Sequence, residues 1–129
     1  MIKIGNSVSN ISVYTCQPKD KDELKKIIEY RIKQEGPNCD LNDIDVSKIN
    51  DMTLLFHKSD LNGDISNWDV SKVKNMSHMF EKSRFNKDIS SWNVSNVKDM
   101  NSMFAWSNFN GDISNLDIAD DCNTTGMFY

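Results

Sequence analysis

The stretch Phe85-Asn86-Lys87-Asp88-Ile89-Ser90-Ser91-Trp92-Asn93-Val94-Ser95-Asn96-Val97-Lys98-Asp99-Met100-Asn101-Ser102-Met103-Phe104 decides how the rest of the chain is read. Its Asn93-Val94-Ser95 returns at a constant step of 24 residues, as Asp45-Val46-Ser47, Asp69-Val70-Ser71 and Asp117-Ile118-Ala119. The same register holds Met52, Met76 and Met100; Phe56, Phe80, Phe104 and Phe128; and Ser59, Ser83 and Ser107. It also holds Asn62, Asn86 and Asn110, and Ile65, Ile89 and Ile113, while Trp68 and Trp92 share a column with Ile44 and Leu116. Self-similarity at a fixed period of this size marks a repeat architecture, in which each unit buries its apolar face only against its neighbours.

One period earlier, Asn38-Cys39-Asp40-Leu41-Asn42-Asp43-Ile44 lines up with Asn62-Gly63-Asp64-Ile65-Ser66-Asn67-Trp68. Ile28 and Ile32 fall in the columns of Met52 and Phe56, so the stretch 21–35 stands where later copies have a shorter segment. It reads as a helix: Asp20 or Asp22 can cap its start, acids fill its first turn, and Gly36-Pro37 ends it. The chain is expected to be one domain over 1–129. In it, 1–18 form a strand hairpin at the end of the stack, 19–36 a capping helix, 37–116 the repeats, and 117–129 a degenerate last copy.

Within a copy, Val73, Met76, Met79 and Phe80 have helical spacing, with Ser71 placed as N-cap and Ser47 and Ser95 as its counterparts. Ile89 and Trp92, with polar residues between them, read as a short strand running into a turn. The expected fold is therefore an α/β solenoid, a right-handed coil. Each copy supplies a short helix and a short parallel strand, and Leu41, Ile65, Ile89 and Ile113 stack as the ladder.

The run Phe85-Asn86-x-Asp88-Ile89-Ser90-x-Trp92-Asn93-Val94-Ser95-Asn96-Val97-x-Asp99-Met100-x-x-Met103-Phe104 resembles the BspA-like surface-protein repeat, a bacterial relative of leucine-rich repeats common in mycoplasma lipoproteins. The resemblance spans roughly residues 19–129. It implies an α/β solenoid with a binding or adhesion role, and it brings no ligand and no catalytic residues. The N-terminus shows no charged segment followed by an apolar run, so an export signal is not expected and a cytoplasmic location is.

Charge narrows the function classes. The formal net charge is −4, and residues 37–129 carry 14 acidic against 8 basic side chains, which disfavours direct nucleic-acid binding. No stretch approaches the ~20 apolar residues of a membrane span. Cys16, Cys39 and Cys122 have neither disulfide-framework nor metal-ligand spacing and read as reduced structural thiols.

The Asp column (Asp40, Asp64, Asp88, Asp112) is the first candidate site. In register its carboxylates would lie ~4.8 Å apart, so something must offset their repulsion. Backbone N–H groups at the turn are the expected partners, with Lys87 and a row of Ca²⁺ as alternatives; the Gly-rich nonapeptide of calcium solenoids is missing. The Asn column (Asn38, Asn62, Asn86, Asn110) reads as a ladder bonding the backbone of successive copies. His57 and His78 lack a neighbouring ligand set, and no nucleophile, phosphate or zinc motif is present. No catalytic residue, metal or cofactor is expected.

Binding residues are sought where copies disagree. The variable columns are Leu54/His78/Ser102, His57/Glu81/Ala105, Lys58/Lys82/Trp106 and Asp60/Arg84/Asn108. Trp106, in a column of lysines, is either an exposed anchor or part of the cap over the last copy. The candidate partner-binding residues are Trp106, Leu54, His78, Arg84, Asp64, Asp88 and Asp112. The expected function is a non-enzymatic protein-binding module, an intracellular inhibitor or immunity-type partner showing an acidic surface to a basic, nucleic-acid-handling protein. A fragment of a surface adhesin is the alternative, and a small hydrolase using the Asp column a distant second.

Overall fold

The computed structural model describes residues 16–129; the hairpin expected over 1–18 lies, but for its last three residues, outside them. The first element is α1, Lys21–Glu35, as its signals dictate. Asp20 accepts the Glu23 backbone N–H at 2.9 Å, and the Glu23 carboxylate returns to the Lys19 N–H at 3.0 Å. Gly36, at φ 92°, closes the helix with its N–H on the Ile32 carbonyl at 2.8 Å. Leu24 and Ile28 enter the core, and Arg31 ties α1 to the first copy through the Asp43 carboxylate and the Asp40 carbonyl.

The α/β solenoid expected for the rest of the chain is not what forms. Among the described residues α1 is the one helix, and there is no sheet, only isolated parallel bridges. These are Cys16 to Ile44, Asp51 to Asn75, Asn75 to Asp99 and Asp99 to Asn123. Copies are built from tight turns instead. Over 73–80, the supposed helix, Ser77 gives its N–H to Oδ1 of Asn75, and Met79 gives its own to the Met76 carbonyl three residues back. The amides of Met76, His78, Phe80 and Lys82 leave the segment altogether and donate to Asp99, Asn101, Met103 and Ala105 at 2.8–2.9 Å. Over 85–92, the supposed strand, side chains capture the backbone. Ser83 Oγ takes the Phe85 N–H, Asn62 Oδ1 takes that of Asn86, and Asp88 Oδ1 takes that of Ser90. Short polar side chains that bond nearby backbone compete with both ladders, and here they win.

Three Asx turns recur from copy to copy. Asp40, Asp64, Asp88 and Asp112 hold the N–H two residues on; so do Asp45, Asp69 and Asn93, and so do Asp51, Asn75, Asp99 and Asn123. The second group corrects the role given to Ser47, Ser71 and Ser95, which donate to the Asx residue two places back in place of capping a helix.

The core runs through the copies. Phe56, Phe80, Phe104 and Phe128 stack at 5.3–5.4 Å. Trp68 and Trp92 are buried, and each gives its indole N–H to a carbonyl of the preceding copy, Leu41 at 2.9 Å and Ile65 at 3.0 Å. A buried indole N–H needs such a partner. Gly63 lies so close to the Cys39 carbonyl that a Cβ would stand 1.7 Å from its oxygen. Between copies, the amides of Met52, Leu54, Phe56 and Lys58 donate to Asn75, Ser77, Met79 and Glu81, and this row of bonds runs one way. At Thr124, Gly126 and Phe128 the corresponding amides meet no backbone carbonyl among the described residues.

Candidate functional site

Two of the four variable columns share a backbone peculiarity. Leu54, Lys58, His78, Lys82, Ser102 and Trp106 all have positive φ, between 56° and 61°, and none is glycine. Each is the third residue of a turn closed by an N–H to a carbonyl three residues back, as from Met79 to Met76 and from Ser83 to Phe80. A left-handed third residue is a place for glycine or asparagine. Gly126, at φ 64°, fills the last place of the Leu54/His78/Ser102 column. These columns are the outward corners of two successive turns per copy.

Their side chains face out. Trp106 is 67% exposed and Leu54 40%, while Lys58 and Lys82 are exposed and His78 and Ser102 half-buried. Trp106 meets Tyr129 edge-on, with centroids 5.8 Å apart and planes at 85°. Trp106 thus touches Tyr129 of the last copy while its ring stays largely in solvent. Beside these corners, Nδ1 of His57 and of His78 each lie 3.2 Å from Oε1 of Glu81. The His57 contact has the distance of a hydrogen bond but not its direction, and that nitrogen is left without a partner.

The remaining candidates lie elsewhere. Asp64 and Asp88 line a shallow depression with Asn38, Ser66 and Lys87. Arg84 lines the adjoining one with Asp60, its ion-pair partner at 3.3 Å. Both members of that pair are largely in water, where such a bond contributes little. The Asp column is held as its spacing required, by backbone. Ser66 N–H and hydroxyl on Asp64, Ser90 N–H on Asp88 and Ser114 N–H on Asp112 lower all three carboxyl pKa values. The Asn ladder is also present, Asn86 N–H on Asn62 and Asn110 N–H on Asn86. No group of three or more His, Cys, Asp or Glu among the described residues is placed to hold a metal ion.

Lys58 and Lys82, in the corner rows, and Tyr129, against Trp106, are exposed here and are not among the expected site residues. The one signal for the rows was Gly126, whose place in the Leu54 column marks that column as left-handed. No helix among the described residues is long and apolar enough to cross a membrane. No curated protein and no solved structure matches the chain. The family described as Mycoplasma protein of unknown function, DUF285, matches residues 25–129.

Proposed function

We propose that this chain, which belongs to the DUF285 family, is a non-enzymatic module that binds a protein partner. One observation carries the reading. At the corner positions the backbone agrees to within a few degrees, from φ 56° to 61°, while the side chains are Leu54, His78 and Ser102 in one row and Lys58, Lys82 and Trp106 in the other. The fold asks the same of every corner, so what differs is what each corner shows to the outside. Exposed Trp106 with Tyr129 is the kind of aromatic pair that anchors protein interfaces.

Two further points support a protein partner over a nucleic acid or a substrate. The net charge is −4, and a phosphate backbone is read by clustered basic groups. The Asp column has its Oδ1 atoms committed to turns, which suits structure and surface charge better than acid–base chemistry. The resemblance to BspA-like repeats, which implies binding or adhesion, agrees with this reading.

Affinity capture from cells that carry the chain naturally, with wild type beside Trp106→Ala, tests it. A recurrent protein partner is expected, recovered roughly tenfold less by the variant, as for a hot-spot residue. Equal recovery by both would remove Trp106 from any interface and the reading with it.

A further inference from the structure

Six corner residues occupy a conformation that glycine would adopt without steric cost. Gly126 shows that the fold accepts glycine in one of the rows. A side chain retained where folding disfavours it has its reason outside the fold, and backbone strain of this kind gathers at functional surfaces. The row Lys58, Lys82, Trp106 has chemistry that identifies what such a surface would meet.

Its members stand in successive copies, tied by the Lys58 N–H to Glu81 and the Lys82 N–H to Ala105, both at 2.9 Å. The stacked Phe rings of successive copies have centroids 5.3–5.4 Å apart. Neither ammonium takes part in an ion pair among the described residues. Glu81, the carboxylate beside Lys82 in the chain, faces His57 and His78 instead. In an acidic chain, two exposed and uncompensated lysines in a line form a local patch of opposite sign. Trp106, held edge-on by Tyr129, continues the line as an oriented aromatic surface.

The geometry points to a docking line for an extended acidic segment of a partner protein. Two carboxylates at alternate positions would lie over Lys58 and Lys82, and a following aromatic residue over Trp106 and Tyr129. This rests on the binding reading above and supplies the partner's chemistry. Same-face residues of an extended chain repeat every ~6.7 Å, about a quarter more than the ring-to-ring spacing, and the flexible lysine stems absorb the difference. The aromatic contact supplies the anchor, since exposed ion pairs alone bind weakly.

The test is fluorescence anisotropy with labelled peptides Glu-Ser-Glu-Ser-Phe and Lys-Ser-Lys-Ser-Phe, and a labelled oligothymidylate. The proteins are wild type, Trp106→Gly and the double variant Lys58→Gly/Lys82→Gly. The acidic peptide is expected to bind wild type roughly tenfold more tightly than either other probe, and to weaken as salt rises from ~50 to ~300 mM. Each glycine variant should lose roughly tenfold in affinity for the acidic peptide, while its urea midpoint rises because glycine relieves the left-handed corner. Lost binding in a more stable protein cannot be misfolding.

The inference is overturned if the folded variants bind the acidic peptide as wild type does, or if the basic peptide or the oligonucleotide binds as well. A falling urea midpoint would overturn its premise that these side chains are kept against the fold. If capture of the natural partner depends on Trp106 but no acidic preference appears, the partner chemistry is wrong and the binding reading stands. If capture is indifferent to Trp106, the binding reading itself fails.

Discussion

At φ near 58° a β-carbon crowds the following carbonyl, which costs about 1 kcal/mol relative to glycine. Ser102 and Gly126 occupy the same corner in adjacent copies, and Ser102 gives its N–H to the carbonyl of Thr125. Exchanging their side chains should therefore move stability in opposite directions. Ser102→Gly is expected to raise the unfolding free energy by ~1 kcal/mol. Gly126→Ala should lower it by a similar amount, since its Cβ would also come within 3.4 Å of Ser102 Oγ. Urea unfolding of both variants checks this, and shifts of the same sign would contradict the assignment of the corners. The Asn and Asp columns were legible in the sequence as turn and ladder chemistry. Beyond Gly126 the corners were not legible, because Leu, Lys, His and Trp carry no preference for left-handed backbone.

The period of 24 could be read from side chains, but the elements inside it could not. Val73, Met76 and Met79 recur every third residue, which a helix face and a run of turns closed over three residues both produce. Apolar spacing alone cannot separate them. The Asx residues could have: Asp51, Asn75 and Asp99 fall inside each supposed helix, where their side chains compete for backbone N–H groups. α1 was read correctly because it is long, capped at Asp20 and stopped at Gly36, and has no such residue in its interior. Within the copies, Trp68 is the side chain whose polar atom joins one unit to the next. Trp68→Phe keeps an aromatic ring against Phe56 but deletes the bond to the Leu41 carbonyl, which retains the Ile44 N–H. A loss of ~1 kcal/mol is expected, the net value of one hydrogen bond. Thermal unfolding measures it, and an unchanged midpoint would mean that the indole N–H contributes nothing between copies.

Across the whole molecule, stability should fall on acidification. Asp64, Asp88 and Asp112 have lowered pKa values because backbone N–H groups hold them, and Asp45 and Asp69 because Ser hydroxyls and N–H groups do. Burial pushes Asp51 upward, but Thr53 and Lys21 outweigh it and its pKa is lowered too. Such groups stabilise the folded chain fully above the unfolded carboxyl value near ~4, and less as pH drops through the lower folded values. Urea midpoints should be level from about pH 7 to 5 and decline below about pH 4. Asp64→Asn should flatten part of that decline while keeping its turn, as Asn75 and Asn93 keep theirs. A midpoint that rises in acid would refute the assignment. The one-way row of bonds between copies has an electrical consequence. Between the second and third copies, four backbone bonds run from Met76, His78, Phe80 and Lys82 toward the later copy, against two from Lys98 and Asn108 that run back. The peptide dipoles therefore do not cancel. They leave partial positive charge at the Phe128 end of the row and partial negative charge at the end beside α1. The amides of Thr124, Gly126 and Phe128 continue the same row, so any backbone that pairs with them, of this chain or of another, must offer its carbonyls.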